Sequence, residues 1–278
     1  MVGHQPIRYN GQHCPGWKQL RIAWANVGKA SECHDTILCR ASDENIDVIC
    51  IQEPWTLPGT VTKNHPGYYM HAPVIAWDSR EERENERPRV LTYTRKGVNL
   101  RAKVLPRVTR DILWTEVNGY AILNVYQNRE APEPAVTYIQ ELTPPSRCVI
   151  GGDMNARHES FEPGSVTTGG GSELARWAQT HAMDFIGQPG VPTHRAGHVI
   201  DLTFSNIPFA DTVVRPDMHS GSDHATQVTT LPTRGLAAED PKKHKVLERH
   251  LERFTKLVGL NITGPYTSDR RGNPDSRG

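Results

Sequence analysis

Short apolar runs recur along the first 231 residues, and within them apolar and polar side chains alternate or β-branched residues dominate. A period of two residues is typical of β-strands, whose successive side chains point to opposite faces of a sheet. The pattern predicts about nine strands, at residues 20–26, 48–52, 90–95, 112–117, 121–126, 148–152, 199–204, 212–215 and 225–230. So many strands exclude a helical bundle.

Three segments between these strands have a helical pattern instead, at residues 34–44, 135–142 and 172–181. In the third segment, Leu174, Trp177 and Ala178 share one face of a helix. Helices this sparse do not fit a strict β–α–β repeat. We therefore predict a mixed α/β (α+β) fold, a four-layered sandwich of two mostly antiparallel β-sheets flanked by helices.

Three other segments have a distinctive composition. Residues 79–89 carry four Arg and four Glu, which predicts a solvated loop. The glycine run 169–171 lacks the lysine of a phosphate-binding loop, so we predict a flexible loop there. Near the end of the chain, apolar residues at helical spacing predict one amphipathic helix over residues 242–258, and the composition of residues 261–278 predicts disorder.

Charge is nearly balanced, because 32 Lys and Arg against 31 Asp and Glu give a net charge of +1. This argues against a polycation that acts through bulk charge alone. The charge is unevenly distributed, because the residues up to Leu231 have a net charge of −3 and the residues after it have a net charge of +4. We therefore predict an N-terminal arm (1–17), one large domain (18–231) and a basic connector (232–278). No membrane span or signal peptide is visible, so we expect an intracellular protein without a membrane anchor.

The five cysteines do not form a recognisable framework, since their number is odd and no Cys-x-x-Cys spacing occurs. Cys50 and Cys148 lie in strand-like apolar runs, where we expect them to be buried as small hydrophobic residues. A zinc site at Cys33, His34 and Cys39 is an alternative, but its spacing matches no common zinc motif.

Polar and ionisable residues stand at the ends of several predicted strands. Taken singly, each has a structural explanation: Asp153 as the start of a turn, Asn26 as a hydrogen-bonding strand end, Asp201 as a buried carboxylate with partners. Taken together, their oxygen atoms suit a hard cation such as Mg²⁺, and Asp with His suits phosphoester hydrolysis. The set is Asn26, Glu53, Tyr126, Asp153, Asn155, Asp201, Asp223 and His224.

The order of these motifs resembles the endonuclease/exonuclease/phosphatase superfamily with its DNase I-like fold. Within it, the chain is most similar to the apurinic-endonuclease-like domain of LINE-type (non-LTR) retrotransposons. The resemblance spans residues 20–231 and rests on six ordered motifs. They are Asn26, Gln52-Glu-Pro-Trp55, Asn124-Val-Tyr126, Gly152-Asp-Met-Asn-Ala-Arg-His158, Ile200-Asp-Leu-Thr-Phe-Ser205 and Ser222-Asp-His224, with Pro192-Thr-His194 in support.

The resemblance implies a role for each residue. Glu53 would be the main ligand of Mg²⁺, with Mn²⁺ as an alternative, and Asn26 and Asp223 would lie beside the metal. Asp153 would activate water. His224, oriented by Asp201, would stabilise charge on the phosphate. The remaining residues would contact phosphate or other parts of the substrate: Tyr126, Asn155, Thr193, Ser222 and Arg157.

The resemblance also implies the reaction and its setting. A nick that leaves a 3′-hydroxyl and a 5′-phosphate would prime reverse transcription in the nucleus, with DNA as substrate and a reverse transcriptase domain as partner in the parent polyprotein. Residues 193–198 correspond to a hairpin that lies against DNA in the family. Gly28 replaces an acidic residue of the repair enzymes, which weakens the case for a second metal.

Two other functions remain open from the sequence. The first is a phosphatase of the same fold that acts on small phosphoesters, and the second is a non-catalytic remnant that binds nucleic acid or protein. The chain has no Asp-Asp pair of the polymerase kind. It is therefore an excised nuclease domain, a truncated element copy or a domesticated protein, and the sequence does not choose among them.

Overall fold

The structure is a computed structural model that describes residues 19–74, 77, 87–97, 100–106, 108–128 and 135–232. All of them belong to the first of two compact units, Met1–Leu236. The predicted N-terminal arm and, beyond Pro232, the basic connector with its amphipathic helix lie outside the described residues, as does most of the charged segment 79–89.

The described residues alternate between strands and a few helices along the chain. In chain order the elements are β1 (Gln19–Asn26), α1 (Ser31–Asp43), β2 (Val48–Gln52), β3 (Thr56–Leu57), β4 (Val61–Thr62), β5 (Tyr68–His71), β6 (Val90–Arg95), β7 (Ala102–Val104), β8 (Ile112–Val117), β9 (Tyr120–Tyr126), α2 (Ala135–Glu141), β10 (Cys148–Asp153), α3 (Gly171–Thr180), β11 (Asp184–Phe185), β12 (Asp201–Ser205), β13 (Asp211–Val214) and β14 (Gln227–Pro232). A single 3₁₀ turn, Pro216–Met218, precedes β14.

Two six-stranded sheets form the body, with strand orders β13-β14-β1-β2-β6-β5 and β11-β12-β10-β9-β8-β7. One pair in each sheet is parallel, β1 with β2 and β9 with β10, and the other pairs are antiparallel. β3 and β4 pair separately as a short hairpin. The fold is therefore mixed α/β with mostly antiparallel sheets, as predicted.

The alternation of side chains along β1 explains the layers. Ile22 and Trp24 point towards the second sheet and pack with Ile122 and Val149 between the two sheets. Ala23, on the opposite face, packs with residues of α1 in a separate cluster. A third cluster joins the outer face of the second sheet to α2 and α3. Burying both faces of each sheet in this way gives the four layers that the sequence predicts.

The nine predicted strands and three predicted helices within this body are confirmed, with ends shifted by at most three residues. The burial of Cys50 and Cys148 is also confirmed. Five strands were not predicted, namely β3, β4, β5, β7 and β11, which are only two to four residues long. Segments this short carry too few alternations to show a period of two. No helix of the described part is long and apolar enough to span a membrane.

Candidate active site

The predicted site residues lie where four strands end and one begins. β1 ends at Asn26, and its parallel neighbour β2 ends one residue before Glu53. In the second sheet, the parallel strands β9 and β10 end at Tyr126 and Asp153. β12 runs the other way and begins at Asp201, directly opposite Asp153. The carboxyl ends of both parallel pairs therefore meet at one edge of the sandwich.

Asn26 joins the two sheets. Its side-chain Nδ2 donates to Asp153 Oδ2 at 2.9 Å and to Glu53 Oε2 at 3.3 Å. Its Oδ1 accepts a hydrogen bond from the backbone N–H of Gly28 at 2.8 Å. Asn26 is only 1% exposed, so water does not compete for these bonds. One amide therefore fixes the spacing between carboxylates that belong to different sheets.

Glu53 is held next to Tyr126. The phenol hydroxyl makes a side-chain hydrogen bond with the Glu53 carboxylate, and the ammonium group of Lys29 lies 3.6 Å from Glu53 Oε1. Burial raises the pKa of the Tyr126 phenol above its usual range, and the Glu53 carboxylate raises it further. Tyr126 is therefore a neutral hydrogen-bond donor at any physiological pH.

His224 and Asp201 form a buried pair. His224 Nδ1 lies 2.9 and 3.1 Å from the two carboxylate oxygens of Asp201, and His224 Nε2 lies 3.9 Å from Asp153 Oδ2. Burial by itself lowers the pKa of the imidazole, but the carboxylate of Asp201, followed by those of Asp153 and Asp223, raises it to about 9. The ring is therefore an imidazolium at neutral pH, oriented by Asp201.

Asp153 is the most buried carboxylate of the candidate site, with 2% of its surface exposed. Burial raises its pKa, and repulsion from the Asp201 carboxylate raises it further. The charge of His224 and hydrogen bonds from the Asn155 backbone N–H and the Asn26 amide act in the opposite direction. A carboxylate poised in this way can accept a proton near neutral pH.

Two residues away from Asp153, Asn155 has a left-handed backbone, with φ at +46°. Its side-chain Nδ2 donates to the backbone oxygen of Gln127 at 3.0 Å, which ties the turn after β10 to the segment after β9.

The glycine run 169–171 keeps this turn in place. A Cβ atom on Gly169 would lie 2.1 Å from the Asn155 oxygen, and one on Gly171 would lie 2.0 Å from the Arg157 oxygen.

The glycine run is therefore a close backbone contact that leads into α3, whose first residue is Gly171. Gly169 and Gly170 lie in a turn before α3, so the predicted loop is confirmed for these two residues, while its flexibility stays a prediction. Only a residue without a side chain allows the two backbones to approach so closely, and sequence reasoning had no means of knowing which segment would lie opposite.

Asp223 is paired with a histidine that the sequence did not single out as a site residue. His194 Nε2 lies 3.2 Å from Asp223 Oδ2, while His194 Nδ1 accepts the backbone N–H of Ala196 at 3.1 Å. This bond places the proton of a neutral ring on Nε2, where it faces the carboxylate. The rings of His194 and His224 meet edge to face, 4.7 Å between centroids. The only sequence signal for His194 is its place in the Pro-Thr-His motif.

The three predicted substrate contacts have partners within the protein. Thr193 is 1% exposed, and its Oγ1 accepts the backbone N–H groups of Ile200 and Asp201, each at 3.0 Å. Ser222 Oγ donates to the backbone oxygen of Asn26 at 2.7 Å and so links the His224 loop to β1. The structure places both hydroxyls where they hold the backbone of the site.

Arg157, the third of these residues, forms an ion pair with Glu162 at 3.0 Å. Glu162 also accepts the backbone N–H of Val199 at 2.9 Å and contacts His198 Nδ1 at 3.1 Å. It therefore connects the turn after β10 to the hairpin at residues 193–198. No motif in the sequence marks Glu162.

The donor set suits a divalent cation. Glu53 offers carboxylate oxygens, and Asn26 Oδ1 keeps a second lone pair beside its bond to Gly28, so hard oxygen ligands lie side by side at the sheet edge. Among the described residues, the groups of three His, Cys, Asp or Glu side chains with ligand atoms close together are His194, Asp223, His224 and Asp153, Asp201, His224. Glu53 belongs to neither group.

Comparison with known proteins agrees with this geometry. Residues 120–228 match the model of a family described as "Endonuclease-reverse transcriptase". The chain also shares its fold with the endonuclease domain of TRAS1, a telomere-specific non-LTR retrotransposon, at a TM-score of 0.63 and 17% identity over 77% of this chain and 98% of that one. The chain is therefore similar to that family over residues 120–228 and shares its fold with a retrotransposon endonuclease domain.

Two further solved structures align with lower TM-scores. The catalytic domain of Xenopus laevis APE2 aligns at a TM-score of 0.49 and 15% identity, over 76% of this chain and 92% of that one. An AP endonuclease from Archaeoglobus fulgidus aligns at a TM-score of 0.46 and 15% identity, over 76% of this chain and 99% of that one. No curated protein sequence matches the chain.

Proposed function

We propose that this domain is a metal-dependent endonuclease that nicks one strand of DNA and leaves a 3′-hydroxyl and a 5′-phosphate, as target-primed reverse transcription requires. One observation carries the proposal: an unbroken series of side-chain contacts runs from Glu53 through Asn26 to Asp153, and on to His224 and Asp201. Metal-binding, proton-accepting and cationic groups are thus arranged within reach of one phosphate.

In this mechanism Asp153 accepts the proton of the attacking water. The buried imidazolium of His224, held in place by Asp201, would stabilise the negative charge that builds up on the phosphate. Tyr126 would contact the phosphate by exchanging the hydrogen bond that its hydroxyl makes with Glu53, and Asn155 is the second proposed phosphate contact. The groups are preorganised by buried hydrogen bonds, so little reorganisation precedes the reaction.

The metal would be Mg²⁺, with Mn²⁺ as an alternative, held by Glu53 with Asn26 beside it. When bound, it supplies charge neutralisation on the phosphate and on the leaving oxygen. Asp223, the third ligand that the sequence suggests, is instead hydrogen bonded to His194. To lie beside the metal as proposed, Asp223 would have to contact His194 and the metal at the same time, or give up its contact with His194.

The test is nicking of supercoiled plasmid by the full chain with Mg²⁺ or Mn²⁺. We expect relaxed circles from the wild type and at least about 100-fold less from Glu53→Gln, Asp153→Asn and His224→Ala. Asp211→Asn is the matched control, because Asp211 is an exposed carboxylate in β13 and should keep full activity. Extension of the nick by a DNA polymerase, without end repair, checks for the 3′-hydroxyl.

Intact plasmid with both metals would contradict the proposal. Release of phosphate from small phosphoesters without nicking would support the phosphatase alternative. Binding of DNA without cleavage would support a non-catalytic remnant. If nicking occurs, we further propose that the chain acts in the nucleus together with a reverse transcriptase domain.

A further inference from the structure

The layer between the two sheets changes from apolar to polar along its length. At the end away from the active site it consists of apolar side chains such as Ile22, Val48 and Ile122. One step before the active-site edge, two buried amides take their place: Gln52 on β2 and Asn124 on β9, which are 1% and 0% exposed. Neither residue belongs to the proposed catalytic set.

The two amides bridge the sheets through directed hydrogen bonds. Gln52 Nε2 donates to Asn124 Oδ1 at 2.7 Å. Asn124 Nδ2 in turn donates to the backbone oxygens of Leu91 at 2.9 Å and Ile51 at 3.2 Å. Asn124 therefore holds β9 against both β2 and β6 of the other sheet. Apolar contacts between the same strands would be non-directional, so they would fix the offset of the strands less well.

The bridge lies directly next to residues of the active site. Gln52 immediately precedes Glu53, and Asn124 is two residues before Tyr126 on the same face of β9. Gln52 is also the register partner of Asn26 in the parallel pair of β1 and β2. The bridge therefore fixes the offset between the strand ends that carry Glu53 and Tyr126, whose side chains share a hydrogen bond.

Glu53 has a backbone conformation that needs such support. Its φ is +45°, in the left-handed region that residues with a side chain rarely adopt. Its N–H donates to the Arg89 oxygen at 2.9 Å, and its oxygen accepts the N–H of Lys29 at 2.8 Å. Strained conformations persist only where the surrounding structure determines them. The side chain of Gln52 adds an anchor to the second sheet, one residue before the strained position.

Stability alone does not account for the two amides. Gln52 Oε1 is buried and has no hydrogen-bond partner among the described residues, and an unsatisfied buried acceptor costs free energy. Replacing both members of a buried hydrogen-bonded pair by apolar groups of the same shape can be nearly neutral or stabilising. Local departures of this kind from an apolar interior are expected at functional sites.

We propose that Gln52 and Asn124 are positioning residues for the metal ligand: their bridge holds Glu53 in its left-handed conformation and in register with Tyr126. This role rests on the proposed function, because that function supplies the divalent cation at Glu53. The two amides act only through Glu53. Without the bridge Glu53 can relax, and ordering it again when the metal binds reduces the affinity.

The test measures binding of Mn²⁺ to the full chain without DNA, by the electron paramagnetic resonance signal of the free ion. We expect the Mn²⁺ dissociation constant to rise about tenfold in Gln52→Met and in Asn124→Leu, at the low end of the loss seen when a residue that orients a metal ligand is removed. Glu53→Gln should abolish the binding. Equal binding by Glu53→Gln and the wild type would overturn the inference, because the ion would not be at Glu53.

The double variant Gln52→Met/Asn124→Leu separates positioning from stability. It leaves neither amide without its partner, so its urea midpoint should return to near that of the wild type. Its Mn²⁺ dissociation constant should stay about tenfold higher. A purely structural bridge predicts that stability and affinity recover together. Affinity equal to that of the wild type in the folded double variant would overturn the inference.

Thr212→Val is the matched control. The Thr212 hydroxyl makes a buried hydrogen bond with that of Thr229 at 2.6 Å, in the edge strand β13, three strands away from β2. The substitution removes a buried hydrogen bond, as the bridge variants do, but should leave the Mn²⁺ affinity unchanged. If the double variant does not fold, Gln52→Met is compared with this control, and an equal loss of affinity in both would overturn the inference.

Plasmid nicking separates the positioning role from the proposed function. A wild type that binds Mn²⁺ and loses affinity with the bridge, but does not nick, retains the positioning role and loses the nuclease. One that nicks, while the bridge variants bind Mn²⁺ as the wild type does, retains the nuclease and loses the positioning role. A wild type that binds no Mn²⁺ overturns the inference.

Discussion

Two carboxylate–histidine pairs lie side by side in this domain, and they differ mainly in burial. Asp201 and His224 are 6% and 9% exposed and 2.9 Å apart, while Asp223 and His194 are 43% and 24% exposed and 3.2 Å apart. The inner histidine has its pKa raised to about 9, because three carboxylates outweigh the cost of its burial. Similar chemistry therefore gives a fixed cation inside the site and a partly exposed hydrogen-bonded pair at its rim.

The largest expected effect comes from removing the inner histidine. His224→Ala should lower the rate of plasmid nicking about 1000-fold, because it removes the cation that is proposed to stabilise the phosphate. Rates on supercoiled plasmid at saturating Mg²⁺ measure this loss. If the variant nicks within tenfold of the wild type, His224 does not have the proposed role, and the inner pair is only structural.

Asp201→Asn keeps the shape of the inner pair and removes its charge. We expect nicking at pH 8 to fall about 100-fold, because the imidazole loses its orienting anion and part of its proton affinity. In the wild type, activity that needs protonated His224 is present at neutral pH and is lost as the pH rises through about 9. In Asp201→Asn, this loss of activity at alkaline pH should begin at a lower pH. If it begins at the same pH as in the wild type, a group other than His224 causes it.

Stability should separate the two pairs as well. Asp201→Ala leaves a buried imidazolium without its partner and should lower the free energy of unfolding by about 3–5 kcal/mol at pH 7. Asp223→Ala breaks a partly exposed pair and should cost less than about 1 kcal/mol. Urea unfolding of both variants gives the comparison. Equal losses would show that burial does not distinguish the pairs.

The smallest effect is expected at the rim. His194→Ala should reduce nicking by about fivefold or less, since a partly exposed pair contributes no more than about 1 kcal/mol. His194→Gln retains a side-chain N–H donor and should recover most of that loss. A loss as large as that of His224→Ala would place His194 among the catalytic residues.

Much of this arrangement could be predicted from the sequence. The strands that lead to Asn26, Glu53 and Asp153 are short, mostly apolar runs followed by polar residues, and that pattern locates both the strand ends and the chemistry. The resemblance to retrotransposon nucleases then pairs Asp201 with His224, across 23 residues.

Other parts depend on which loops meet in three dimensions. The Asp223–His194 and Glu162–His198 contacts join residues 29 and 36 positions apart, and no local pattern marks their partners. Arg89 is a similar case, because it lies in a segment whose composition predicts a solvated loop, yet its guanidinium faces the buried Asp111. Contacts between loops arise from tertiary geometry, which periodicity does not record.

The pairing of β1 with β14 has a consequence for how the domain matures. These are the first and last strands that the structure describes, and their register joins Gln19 to Pro232. The sheet that carries Asn26 is therefore incomplete until the chain has been synthesised almost to residue 232, and the loop with His224 arrives just before that strand. A nascent or truncated chain would contain the carboxylates of Glu53, Asp153 and Asp201 but lack the imidazolium of His224. Contacts this distant in sequence also slow folding, so activity should appear late and all at once after synthesis.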